Sequence, residues 1–469
     1  MSVLVCENIS FEYEPGKKVL DNVTLKIRRG ERVVIVGENG SGKTTLSLIC
    51  AGAYRGYAGA VHIDGRYFPF DPHTGAEFRR RIGYVFQNPE DGFVATDVYR
   101  EAAYAGENFS IPPDILRRRV EYYLKKFGLW EYAHSSPLEL SGGMKARLAI
   151  VSALVTGAEF FILDEPESFL DWRGQQIFAR TLDEIGAQAG ILHITQSPEM
   201  AQKGDKIYNL LNCKIKAKSH KELLNEVPDI RLNLTKLNSS GPLKIELENV
   251  CFNYGARQVL TGIDLNVKSG EIVGVVGASG AGKSTLALMI AGFLEPHEGK
   301  VLVDGRAAIL FQFPERQLFA ETVKKDVMFG PKNLGLENPE KIAEEKLRLV
   351  DLDPKFWESS PFALSDGQQR RAGIAGVLAT EPDIIIFDEP FASLDYKGIA
   401  HLFRIIADLS RRGATIILIT HRTDLLIKLA PRTVALAGGK IAYDGPTEKL
   451  LSDTDLCEKV GIKPLNHRI

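Results

Sequence analysis

One eight-residue pattern occurs twice in this chain. Gly37-Glu38-Asn39-Gly40-Ser41-Gly42-Lys43-Thr44 returns as Gly277-Ala278-Ser279-Gly280-Ala281-Gly282-Lys283-Ser284, with the two lysines 240 residues apart. Later landmarks repeat at a shorter offset: 225 for Gln87 and Gln312, and 224 for both Ser141/Ser365 and Asp164/Asp388. The second half therefore lacks 15 residues that correspond to part of Tyr67–Arg81. Register held over that distance marks a duplication, and 469 residues leave room for two full cores. The expected organisation is residues 1–225 as one domain, 226–242 as a linker and 243–469 as a second domain. Asn238-Ser239-Ser240-Gly241-Pro242 gives the linker polar turn chemistry, too short for a long helical arm.

Within each half the pattern follows βα logic. Arg32–Val36 reads as a buried strand that leads into a glycine-rich turn and then a helix over Lys43–Ala51. Phe160–Leu163, Ile384–Phe387, Gly190–Thr195 and Thr415–Thr420 read as further buried strands. Charged amphipathic stretches within Asn88–Arg147 and Phe313–Arg371 predict a helical subdomain inserted between core strands.

A strand, a G-x-x-x-x-G-K-[ST] turn and a helix form a phosphate-binding loop, because successive backbone N–H groups converge and the helix N-terminus adds positive potential. The candidate cradles are Gly37, Asn39, Gly40, Ser41, Gly42, Lys43, Thr44 and Thr45, and Gly277, Ser279, Gly280, Ala281, Gly282, Lys283, Ser284 and Thr285. The lysines would reach the β/γ-phosphates, while Thr44 and Ser284 can hold Mg²⁺. Each half then ends a buried strand in paired carboxylates, Asp164-Glu165 and Asp388-Glu389. The aspartate suits Mg²⁺; the glutamate can orient and deprotonate an attacking water.

Composition narrows the class. Net charge is −2, with 44% hydrophobic and 25% charged residues, so no overall positive field draws the chain to nucleic acid or anionic lipid. The start lacks a basic-then-apolar run, and apolar runs such as Thr415–Thr420 fall far short of a membrane span. A cytosolic chain acting at the membrane only through partners is expected. The five cysteines (Cys6, Cys50, Cys213, Cys251, Cys457) form no C-x-x-C pair and read as reduced, mostly buried thiols.

Three further motifs complete an ordered set. Leu140-Ser141-Gly142-Gly143-Met144 and Leu364-Ser365-Asp366-Gly367-Gln368 precede the acidic strands, Gln87 and Gln312 follow aromatic-rich strands, and Ser168–Asp171 and Ser393–Asp395 follow the acidic pairs. Across both halves this set resembles the ATP-binding cassette (ABC) family. The resemblance implies an α/β fold in which each half is a P-loop nucleotide-binding domain. Each would combine a RecA-like core with an antiparallel β subdomain and an inserted helical subdomain. It also implies ATP and Mg²⁺ as cofactors, Gln87 and Gln312 near the metal, and Tyr13 and Tyr254 stacked on adenine.

In that family each ATP lies between one domain's phosphate loop and the other's signature. One site would thus join Lys283, Ser284, Gln312, Asp388, Glu389 and His421 to Ser141, Gly142 and Gly143, departing from the family pattern only at Met144, where glutamine is usual. The other would join Lys43, Thr44, Gln87, Asp164 and Glu165 to Ser365, Gly367 and Gln368. It carries two departures: Gln196 stands where the second half has His421, and Asp366 replaces a glycine. Glutamine cannot transfer a proton as histidine can, and Asp366 adds bulk and negative charge near phosphate. The expectation is a hydrolysing Lys283 site and a degenerate Lys43 site; His193 is no substitute for the histidine, lying three residues away.

The segments Phe311–Phe319, Glu321-Thr322-Val323, Phe329–Asn333 and Val85–Val94 resemble the ATPases of energy-coupling factor (ECF) importers of vitamins and transition-metal ions. The partners implied are a transmembrane coupling protein and a small substrate-binding membrane subunit, with the chain peripheral on the cytoplasmic face and no nucleic acid expected. Glu90, Asp91 and Glu315 would then suit basic residues of the coupling helices, and Leu318 reads as subdomain core. The alternative is a soluble tandem ABC ATPase acting on ribosomes or translation.

Overall fold

The structure, a computed structural model, describes residues 2–68, 72–220, 222, 241–255, 257–392 and 394–465. The expected linker therefore lies outside the described residues except for Gly241 and Pro242, as does Ser393; of Asp366 the backbone alone is described. The chain divides into two compact units, essentially Met1–Pro228 and Asp229–His467.

In the first unit, β1 (Val3–Glu12), β2 (Lys18–Arg28), β4 (Ala58–Ile63) and β5 (Arg66–Tyr67) form an antiparallel sheet in the order β2-β1-β4-β5. The core sheet runs β10-β9-β3-β8-β7-β6, from β3 (Arg32–Val36), β6 (Ile82–Val85), β7 (Phe160–Asp164), β8 (Gly190–Ile194), β9 (Lys206–Leu211) and β10 (Lys214–Lys218). Its neighbours pair in parallel except β10 with β9. Every residue of β3, β7 and β8 is buried, which is why they read as continuous apolar runs.

The second unit repeats this plan. β11 (Leu243–Tyr254), β12 (Arg257–Lys268) and β14 (Glu298–Val303) form the antiparallel sheet. The core order is β15-β16-β17-β13-β18-β19, from β13 (Ile272–Val276), β15 (Ala307–Leu310), β16 (Ile384–Asp388), β17 (Thr415–Ile419), β18 (Arg432–Ala437) and β19 (Lys440–Pro446). The residues missing from this half correspond to β5 and the short helix Pro72–Arg80, which Phe68 and Phe78 pack edge to face at 4.8 Å. The order of strands, non-sequential and mostly parallel, gathers the C-terminal ends of β3, β7 and β8, and of β13, β16 and β17. Ligands of open α/β sheets bind at such an edge.

Between the core strands each unit carries a helical subdomain: Val98–Asn108, Pro113–Lys126 and Gly142–Val155 in the first, Val323–Asn333, Pro339–Leu349 and Asp366–Ala379 in the second. Among the described residues no helix is long and apolar enough to cross a membrane. Cys6, Cys50 and Cys457 are buried, Cys213 and Cys251 are half-buried, and all five thiols are free.

Candidate functional site: two phosphate loops with different neighbours

In both units the core strand hands over to the loop in the same way. Gly37 (φ 154°) follows β3 and Gly277 (φ 148°) follows β13. A Cβ on Gly277 would stand 2.4 Å from the Leu436 carbonyl oxygen, so only glycine lets the loop turn there. Gly42 and Gly282 (φ 101° and 99°) then open the helices Lys43–Cys50 and Lys283–Ile290. Lys43 Nζ donates to the carbonyls of Gly37 and Glu38 at 2.9 Å each; Lys283 Nζ donates to those of Gly277 and Ala278 at 2.8 and 3.0 Å. Each lysine is thereby folded over its loop, where a phosphate oxygen would take its donors.

The acidic pairs lie beside the loops. Asp164, buried, and Asp388, half-buried, end β7 and β16, and desolvation pushes both carboxyls up to about 6 against the lowering pull of Thr44 and Lys43 or of Ser284 and Lys283. Asp164 Oδ2, Glu165 Oε2 and Ser41 Oγ are buried without hydrogen-bond partners. Such carboxylate and hydroxyl groups beside a phosphate cradle suit a hard divalent cation such as Mg²⁺. Glu165 and Glu389 hold left-handed backbone (φ 49° and 48°), each N–H bonded to the carbonyl of the neighbouring strand at 3.0 Å, Ile194 or Ile419. Strained non-glycine residues of this kind persist where the surroundings fix them.

Beyond this the two units part. In the second, His421 Nδ1 lies 2.9 Å from Glu389 Oε2 and the His421 N–H donates to the same oxygen at 3.3 Å. Burial alone would raise the Glu389 carboxyl, but His421 and Lys283 outweigh it and hold it below the usual range. In the first, Gln196 Nε2 turns to the Gly37 carbonyl and Asn39 Oδ1, both at 3.1 Å. Glu165 has no cationic partner on that turn, and burial drives its carboxyl up to about 8 despite Lys43.

His193, set aside as a substitute for the missing histidine, is fully buried and bonds at 2.9 Å to Glu167. Neither Glu167 nor Arg32, which reaches His193 Nδ1 at 2.8 Å, was among the residues expected from sequence to matter. The signal available was the register between halves: the matching positions in the second unit are Ile272, Phe391 and Leu418, all buried and apolar.

Ser141 and Ser365 stand at the N-caps of Gly142–Val155 and Asp366–Ala379. Gln368 Oε1 accepts the Ser365 N–H at 3.0 Å; the matching Met144 is buried and cannot make that bond. Gly142 and Gly143 begin the first of these helices, and Gly367 lies on the exposed start of the second. Gln87 and Gln312, half-buried, directly follow the strands β6 and β15 by two residues. Tyr13 and Tyr254 are exposed beside the antiparallel sheets, and the Tyr13 hydroxyl pairs with Thr45 Oγ1 at 2.9 Å.

The segments after the glutamines are pinned by a device the sequence reading missed. Glu101 Oε2 accepts the N–H groups of Val94 and Ala95 at 2.8 and 2.7 Å, and Asp326 Oδ2 those of Phe319 and Ala320 at 2.7 Å each. Leu318 is buried, as expected of subdomain core, whereas Phe319 and Phe329 are exposed and meet edge to face at 4.8 Å. The expectation for Glu90 needs correction: Lys145 already pairs with it at 2.6 Å, so it is not free for a partner's cation. Glu315 keeps a buried oxygen without a hydrogen-bond partner.

Residues 20–168 and 260–392 match the family described as ABC transporter. The chain is 30% identical to an ABC transporter ATP-binding protein of Bifidobacterium longum, over 99% of this chain and 69% of that one. It is also 30% identical to one of Methanosarcina acetivorans, over 94% and 90%. Among solved structures it is similar to an RNase-L Inhibitor with a TM-score of 0.66, covering 98% of this chain and 97% of that one; at 20% identity this shows the fold alone. Duplicated phosphate loops, acidic strand ends and signature helices agree with these matches: the chain belongs to the ABC transporter ATP-binding family, as a tandem ATPase with two nucleotide-binding domains.

Proposed function

We propose that this chain is the ATP-hydrolysing subunit of an ECF-type membrane importer, in which the Lys283 site hydrolyses ATP and the Lys43 site holds it with slow turnover. The observation that carries the unequal sites is the 2.9 Å His421–Glu389 contact, set against Gln196 at the matching position beside Glu165, whose amide also donates to the Gly37 carbonyl.

Mg²⁺, held by Ser284 and Asp388 with Gln312, or by Thr44 and Asp164 with Gln87, would supply neutralisation of phosphate charge. Lys283 leaves its loop carbonyls for the β/γ-phosphates. Glu389, kept ionised by His421, orients the attacking water and takes its proton, and the imidazole stays fixed by the same contact. At the Lys43 site, a carboxyl held at about 8 is mostly protonated at neutral pH and is a poor base.

The transport reading is supported by the resemblance around the glutamine loops and by surfaces that suit a partner helix. Phe319 and Phe329 present an exposed apolar pair beside the second loop. Beside the first, Tyr84, Phe86, Phe93, Tyr104 and Phe109 line an apolar cavity of about 300 Å³. The test is to purify the tagged full chain from native membranes in mild detergent. A multi-span membrane protein with small membrane subunits is the expected co-purifying set; ribosomal proteins, or no membrane protein, would overturn the importer reading and leave the ATPase intact.

A further inference from the structure

The candidate base Glu389 opens a tight turn, and in the second unit a neighbouring helix grips that turn. Glu389 holds left-handed backbone (φ 48°), and the Ala392 N–H closes the turn on the Glu389 carbonyl at 3.2 Å. Pro390 has no N–H to give, so the turn relies on what its carbonyls accept. One side chain takes two of them. Arg370 Nη2 donates to the Pro390 carbonyl at 2.7 Å, and Nη1 donates to that of Ala392 at 3.1 Å. The two carbonyls flank Phe391, whose buried ring packs on Phe403 with centroids 5.7 Å apart. A packed ring and a guanidinium fork together fix the turn.

Arg370 belongs to the helix Asp366–Ala379, which the signature residue Ser365 caps. It is half-buried; the loss of water lowers its pKa, and Glu315 is the carboxylate that opposes this. A planar fork with two donors suits two fixed carbonyls better than a single ammonium does.

The first unit is built differently at the same place. Register between the halves puts Ala146 at the position of Arg370 and Lys145 at that of Gln369. Lys145 pairs with Glu90, the counterpart of Glu315, at 2.6 Å, and Ala146 has no side-chain donor to offer the turn after Glu165. The next residue, Arg147, donates to the Gly143 and Phe127 carbonyls at 3.3 and 3.0 Å.

We propose that Arg370 is a positioning residue for hydrolysis at the Lys283 site: it holds the Pro390 and Ala392 carbonyls from the signature helix and so fixes the turn that presents the Glu389 carboxylate. The inference deepens the unequal-site reading above and rests on Glu389 being the base. A shift of about 1 Å in a catalytic group is enough to cost on the order of a hundredfold in rate.

The test is steady-state ATPase kinetics of the full-length chain carrying Arg370→Met, which keeps an unbranched stem and removes the donors. Its kcat is expected to fall at least about tenfold, with KM for ATP changed less than about twofold because the phosphate cradle is untouched. In a Glu389→Gln background the same exchange should alter the remaining rate less than about twofold, since Arg370 acts through that carboxylate. A kcat within about threefold of the unaltered protein overturns the proposal. So does a further tenfold loss in the Glu389→Gln background, which a general weakening of the unit would produce. If Arg370→Met does not fold, Arg370→Lys keeps the charge beside Glu315 and loses the fork; its kcat must fall at least about threefold, and an unchanged kcat overturns the proposal. Failure of the underlying reading is separately visible: Glu389→Gln by itself would then leave half or more of the activity.

Discussion

The two units share strand order, loop glycines and the strained glutamate after the acidic strand, yet differ in what surrounds that glutamate. The second gives Glu389 an imidazole and fills the space behind it with Ile272, Phe391 and Leu418. The first gives Glu165 no such partner and puts a polar relay behind it. The comparison teaches that a duplicated scaffold can keep every backbone requirement of phosphate binding while the groups that prepare a base diverge. Backbone geometry depends on glycine and strand register; the ionisation of a carboxyl depends on a few neighbours.

Breaking the relay should produce the largest effect. Glu167→Ala leaves Arg32 and His193 buried without their counter-charge, and should cost about 3–5 kcal/mol of stability in urea unfolding of the first unit. An effect under about 1 kcal/mol would mean that the relay is not the buried network described here.

The glutamate pair sharpens the contrast through pH. The folded Glu165 carboxyl sits at about 8 against an ordinary 4.5, so its contribution is fully present below 4.5 and is lost as pH rises through 8. Glu165→Gln should be neutral near pH 4.5 and gain about 4 kcal/mol near pH 8. Glu389 is held low, so its contribution is present above 4.5 and is lost as pH falls through its lowered folded value. Glu389→Gln should therefore destabilise at neutral pH and lose that penalty in acid. Thermal melts of both variants across this range check the opposite signs.

His421→Gln makes the second unit copy the first at one position. It removes the partner of Glu389 and should lower kcat about a hundredfold with little change in KM. A loss under threefold would show that the 2.9 Å contact does not prepare the base. Smallest of all, Phe319→Ala with Phe329→Ala should weaken retention on native membranes about tenfold and leave detergent-solubilised ATPase activity unchanged.

Much of this was legible in the sequence. The phosphate loops, acidic pairs and signature segments declare themselves because their chemistry needs residues at fixed short spacing, and the buried strands because β3, β7, β8 and their repeats are mostly apolar over several consecutive residues. The difference between Gln196 and His421 was equally visible, and the structure adds what each touches. Arg32, His193 and Glu167 were not legible as a group. Arg32 and His193 stand 161 residues apart, and a strand-period reading treats both as interruptions of an apolar run. The pairing of Glu90 with Lys145, 55 residues away, was hidden for the same reason. Buried polar partners are chosen by the fold, and only the register between the halves hinted that three positions had changed together.

The most direct test of the account is the steady-state ATPase activity of the purified full-length chain carrying Glu389→Gln or Glu165→Gln, each measured beside the unaltered protein. The account predicts a loss of at least about a hundredfold for Glu389→Gln and less than about threefold for Glu165→Gln. Equal losses from the two would contradict it.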